Sequence, residues 1–139
     1  MKPRLIVTSH GNLAAEIVKS AAMIVGDPGV LSVCMSAEDG LEGTTAKMKE
    51  AVASCNGEPI VIAADLFGGT PFNVAMIMSK TYDNIRVVSG LNLAMVIEYF
   101  VSQLEGEGEL AEYLGNIGKM GIVVPSNEAE DDDDCDDIE

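Results

Sequence analysis

The chain contains one histidine, His10, set in Thr8-Ser9-His10-Gly11 directly after the apolar run Leu5-Ile6-Val7. A lone imidazole is commonly a surface or hydrogen-bonded structural residue, because the ring serves many roles. Gly11 argues for more, since glycine lets the backbone turn tightly and leaves the ring open to an approaching group. The second chemical residue is Asp65, which follows the apolar run Ile60-Val61-Ile62-Ala63-Ala64. Alone it reads equally as a capping or loop residue. Beside an imidazole, however, a carboxylate that accepts a hydrogen bond from one ring nitrogen fixes the tautomer. The other nitrogen is then a lone-pair nucleophile.

A third stretch, Gly68-Gly69-Thr70-Pro71, follows Asp65-Leu66-Phe67. Glycine and proline mark strand-to-helix turns for structural reasons alone. This one also supplies what a transferred phosphoryl group needs: amides free to approach, the Thr70 hydroxyl, and the positive end of a helix dipole. No GxxxxGK and no GxGxxG pattern occurs, so neither a P-loop nor a dinucleotide site is supported. Together the three stretches suggest a phosphorylated histidine and not a bound nucleotide. Leu66, Phe67 and Leu91 are candidates for an apolar docking rim, although burial in the core is the commoner fate of such residues.

Elements of alternating period must position these groups. Leu5 to Val7, Val30 to Met35, Ile60 to Ala64 and Ile85 to Val88 read as strands, and Met120 to Val124 as a last one. Leu13, Ile17, Val18, Ala21 and Ile24 form a buried stripe on a helix over 12–25, stopped by Gly26 and Pro28. Met48, Ala51, Val52 and Cys55 mark a second helix, and Pro71 opens a third with Thr70 as its cap. Leu93 to Leu104 gives the cleanest helical stripe, and a short helix holds Leu110, Leu114 and Ile117 after Glu105–Glu109. This alternation implies an α/β fold: a doubly wound, mainly parallel sheet with right-handed crossovers and helices on both faces. Ligands of such sheets collect at the carboxyl ends of the strands. In the order 2-1-3-4, strands one and three are neighbours, and His10 and Asp65 face each other.

The chain has 139 residues, 47% of them hydrophobic, which suits one domain over residues 1–125. The formal charge is −15 and uneven: residues 1–125 carry 14 acidic and 8 basic side chains, a net of −6. Residues 126–139 hold the other 9 acids and no base, and are expected to be a disordered acidic tail. Such a surface repels a phosphate backbone, so no nucleic-acid partner is expected. Cys34, Cys55 and Cys135 sit at no metal-ligand spacing and read as reduced thiols. Neither metal nor cofactor is expected. No apolar run approaches the roughly 20 residues of a bilayer span. The opening Met1-Lys2-Pro3-Arg4-Leu5 lacks a signal peptide's apolar core. A cytoplasmic location is expected.

Thr8-Ser9-His10-Gly11, Asp65-Leu66-Phe67-Gly68-Gly69-Thr70-Pro71-Phe72-Asn73 and Ser89-Gly90-Leu91-Asn92-Leu93-Ala94-Met95 resemble one known family. It is the mannose-family IIA components of the bacterial phosphoenolpyruvate-dependent sugar phosphotransferase system. The resemblance runs from about residue 3 to residue 124, with the three motifs in order. It implies a phosphotransferase component that accepts phosphate on His10 from phospho-HPr and hands it to a IIB component. The membrane IIC and IID components lie downstream. It assigns Asp65 to orienting His10, and Gly11, Leu66, Gly68, Gly69 and Thr70 to the phosphate's surroundings. Leu66 departs from members that carry threonine there, which leaves its backbone N–H to serve. The resemblance further implies a homodimer whose last strand, Met120 to Val124, lies antiparallel and is exchanged between subunits.

Three other readings compete. A flavodoxin-like FMN module would need aromatics to sandwich a flavin, and the chain has no tryptophan and 4% aromatics. A receiver phosphorylated on Asp65 would need acidic residues after the first strand, where Ser9-His10 stands. A regulatory protein could use the same fold and His10 to report phosphorylation without taking part in transport. The sequence names no sugar.

Overall fold

Four strands and five helices follow one another in a computed structural model that describes residues 2–127. They are β1 (Arg4–His10), α1 (Leu13–Val25), β2 (Leu31–Met35), α2 (Gly40–Ala53) and β3 (Ile60–Ala64). Then come α3 (Thr70–Thr81), β4 (Ile85–Ser89), α4 (Leu93–Val101) and α5 (Glu107–Met120). All strands are parallel and lie in the order β2-β1-β3-β4, the expected doubly wound arrangement.

Each face of the sheet has its own core because side chains alternate along a strand. Leu5, Val7, Val61 and Ala63 pack against Ala14, Ala21, Val96, Leu110 and Leu114 from α1, α4 and α5. Ile6, Ile60 and Ile62 pack on the other face against Met48, Val74 and Met78 from α2 and α3. All five residues of β3 are buried, as a central parallel strand covered on both sides requires. The register sets Thr8 beside Ala64 and His10 beside Met35, so β1 and β3 end together. Crossovers of one hand then bring α1, α2 and α3 to start at this end, with the positive ends of their dipoles around it.

Several expectations change. Met120 is the last residue of α5, and residues 121–126 form no strand within the single chain. The apolar Ile122, Val123 and Val124 stand exposed, since this chain pairs no strand edge with them. The short last helix is a 14-residue one, with Glu107 and Glu109 favourably placed in its first turn. Gly69, not Thr70, is the N-cap of α3, and Thr70 is its first residue. Leu13, read as part of a buried stripe, is half-exposed at the start of α1. The expected disorder of the acidic tail falls, from residue 128 onward, outside the described residues, as does Cys135.

Candidate functional site

His10 is the final residue of β1, and its side chain is 42% exposed at the carboxyl end of the sheet. The chain leaves it through Gly11, whose φ of +59° disfavours any residue with a Cβ, and enters α1 two residues later. Asp65 lies one residue beyond β3 with its side chain 10% exposed. Its N–H donates to Thr8 O at 3.1 Å, which keeps it in register with the end of β1.

One carboxylate oxygen holds the histidine twice. Asp65 Oδ2 lies 3.0 Å from His10 Nδ1 and accepts the His10 backbone N–H at 3.0 Å. An ionised carboxylate only accepts, so the Nδ1 contact requires the proton on that nitrogen. Nε2 is left with its lone pair. The ring is pinned by backbone and side chain to a single atom, which restricts rotation about both of its torsions. The second oxygen, Asp65 Oδ1, and Thr8 Oγ1 are buried without a hydrogen-bond partner among the described residues.

The loop after Asp65 closes over the other edge of the imidazole. A Cβ on Gly69 would lie 2.7 Å from His10 Cε1 and 3.2 Å from Nε2, so the ring rests against bare backbone there. The Gly69 N–H donates to Leu66 O at 3.2 Å, and the Gly11 N–H to Met35 O at 2.7 Å. Both amides are therefore occupied, the Gly69 one within its own loop, unlike the free donor expected of it, and the Gly11 one by the end of β2. Among the described residues, the N–H groups of Leu66, Gly68 and Thr70 donate to no backbone carbonyl. These three, with the Thr70 hydroxyl and the start of α3, remain as donors on the loop that follows Asp65. Pro71 suits the first turn of that helix. Asn73 was not singled out by type or spacing; its amide donates to Gly68 O at 3.3 Å and steadies the loop.

The surroundings are apolar. Leu66 and Phe67 are 60% and 76% exposed, and the Phe67 and Phe72 rings lie 4.9 Å apart. Leu91 is buried, because its N–H continues the sheet by donating to Ala64 O at 3.0 Å. Exposed apolar side chains close in sequence to His10 and Asp65 are thus Leu66, Phe67 and the half-exposed Leu13, while Leu91 lies inside. Among the described residues, no three His, Cys, Asp or Glu side chains gather to hold a metal. No described helix is long and apolar enough to cross a membrane.

A family model described as PTS system fructose IIA component matches residues 4–114. The sorbose-specific EIIA component of the Klebsiella pneumoniae PTS is 31% identical over 120 residues, covering 86% of this chain and 89% of that protein. The fructose-specific EIIA component of Bacillus subtilis is 25% identical over 118 residues, with 84% and 80% covered. Among solved structures, the mannose/sorbose specific IIA subunit from Enterococcus faecalis superposes with a TM-score of 0.89 at 47% identity. That match covers 93% of this chain and 98% of the other.

Proposed function

The chain belongs to the PTS fructose IIA component family of sugar phosphotransferase systems, and we propose that it works there as a cytoplasmic phosphocarrier on His10. Phospho-HPr is the donor and a IIB component the acceptor, with IIC and IID downstream at the membrane. One observation carries the reading. His10 Nδ1 and its own backbone N–H converge on Asp65 Oδ2, which supports Nε2, left with its lone pair, as the nucleophile of this reading.

In the transfer, the Nε2 lone pair attacks phosphorus in line as the N–P bond to the donor's imidazole breaks. The donor ring keeps the bonding electron pair. Asp65 stabilises the positive charge that grows on the His10 ring, while the Nδ1 proton stays in place. The loop amides and the positive end of α3 offset charge on the phosphoryl oxygens. Positioning and electrostatics suffice for such a loose transition state. Passage to IIB is the same step with the roles exchanged. The exposed ring and the apolar rim of Leu13, Leu66 and Phe67 suit partners that are themselves proteins.

A homodimer with exchanged carboxyl-terminal strands is part of this reading. The outer edge of β4 is unpaired among the described residues and lies at the floor of a cleft of about 560 Å³. Phe72 and Met76 of α3 wall it on one side, and Gly115 and Lys119 of α5 on the other. A strand would bury this edge, and residues 122–124 of a second copy are apolar and exposed.

Incubation with phosphoenolpyruvate, enzyme I and HPr tests the central claim. One phosphate per chain is expected, acid-labile and base-stable, with none on His10→Ala. An acid-stable adduct, or full labelling of that variant, would overturn it.

A further inference from the structure

The imidazole is gripped from its own side of the sheet, but the turn that carries it is fastened from the other. Ser9 precedes His10 on β1, so its side chain points to the opposite face, towards α1, where it is fully buried. Its hydroxyl makes two bonds across the turn. Oγ donates to Gly11 O at 3.0 Å and accepts the Ala14 N–H at 2.7 Å. Ser9 before His10 is therefore tied to Gly11 and Ala14 after it.

Among the described residues, no other side chain does this work. Asn12 is the N-cap of α1 by position, yet it makes no side-chain cap hydrogen bond. Ser9 takes over, from three residues further back, the satisfaction of a first-turn amide that an N-cap side chain ordinarily supplies. Ala14 is itself buried, so its N–H has no water to turn to if the hydroxyl is removed. The other ties at the turn are backbone bonds. The Gly11 N–H donates to Met35 O at the exit of the strand, and the Glu16 N–H to Asn12 O at the start of the helix. Neither joins the one to the other as the Ser9 hydroxyl does.

Resting on the phosphocarrier reading above, we propose that Ser9 is a positioning residue for the phosphoryl acceptor: its hydroxyl locks the turn that holds the His10 ring between Asp65 and Gly69. The ring has narrow tolerance at that place. It must keep Nδ1 at 3.0 Å from Asp65 Oδ2 while its other edge rests against the Gly69 backbone. A small relaxation of the 10–14 turn breaks one contact or the other, and displacements of about 1 Å can cost on the order of 10²-fold in rate.

The test compares the full-length chain with Ser9→Ala and Ser9→Thr, at a temperature where circular dichroism shows all three folded. Phosphoryl acceptance from phospho-HPr and the nitrogen-15 signals of the imidazole are read on each. His10 is the only histidine, so those signals need no assignment. In Ser9→Ala the rate is expected to fall about 10- to 100-fold. Its Nδ1 and Nε2 shifts should move towards those of a free ring exchanging tautomers. Ser9→Thr restores the hydroxyl and should recover both. Wild-type rate and shifts in Ser9→Ala, whatever its melting temperature, would leave Ser9 a fold residue and overturn the proposal. So would failure of folded Ser9→Thr to recover either readout. If the wild type accepts no phosphate from phospho-HPr, the phosphocarrier reading fails, and the nitrogen shifts alone decide the role of Ser9.

Discussion

Gly69 and His10 approach so closely that a Cβ at position 69 would stand 2.7 Å from Cε1 and 3.2 Å from Nε2 of the imidazole. The Gly69 backbone is extended, with φ −77° and ψ 170°, a conformation open to any residue. The glycine is thus required for room and not for backbone freedom. It clears the edge of the ring that carries Nε2.

Gly69→Ala should accordingly spare the fold and damage the site. The added methyl pushes the ring off Asp65 or shifts the loop, and phosphoryl acceptance should fall by about 10²-fold. Melting temperature and acceptance rate measured on the same preparation check this. A rate equal to wild type would mean that the ring has a second, equally productive seat.

Asp65→Asn keeps the shape of the side chain but changes what it offers. An amide oxygen in the place of Oδ2 can still accept both N–H groups, but the negative charge facing the ring disappears. Transfer is expected to slow by roughly 10²–10⁴-fold, the range for a positioned acid–base group. Unchanged rates would move Asp65 from the mechanism to the scaffold.

The two edges of the sheet are treated differently. On β2, Lys47 Nζ donates to the Cys34 carbonyl at 2.9 Å and to Asp39 Oδ2 at 2.7 Å, so a charge covers this edge. Lysine at an edge discourages pairing with another chain. Lys47→Ala should therefore increase self-association, seen as a rise in light scattering with concentration. Identical scattering from both proteins would remove the edge-guarding role.

The same clamp has a pH dependence. The Lys47 ammonium, then the Ser36 N–H, hold the Asp39 carboxyl below its ordinary value. A depressed folded pKa contributes stability above the unfolded value, and that contribution is lost as pH falls through the folded value. Asp39→Asn should flatten this acidic limb. Thermal melts of the two proteins in a series from neutral pH downward give the comparison, and parallel curves would count against the clamp.

On β4 the edge is left open, and the proposed dimer covers it. Light scattering should return twice the chain mass of 14.6 kDa. Gly115→Leu should return one chain mass. A Cβ at 115 meets Val88 Cγ2 at 3.5 Å, an ordinary contact, so the side chain fills the cleft while favouring the helix. A single-chain mass for the wild type, or an unchanged dimer in the variant, contradicts the exchange.

Much of this molecule is legible in its sequence because the relevant information is local. Alternating periods separate strands from helices, and the two-faced apolarity of Ile60 to Ala64 marks the central strand. The strand ends then place His10 and Asp65 together, since parallel strands of one sheet finish on one side. Other features depend on what the fold lays over an element, which no period encodes. Leu13 belongs to an apolar stripe but lies beyond the cover of its neighbours, whereas Leu91 is drawn inside by its bond to Ala64. Glycine's role as spacer at position 69 exists only because a ring from another strand arrives there. The Ser9 hydroxyl is equally invisible beforehand, being a strand residue that caps a helix. Apolar residues 122–124 likewise announce a strand, yet a strand needs a partner, and within one chain residues 121–126 pair with none.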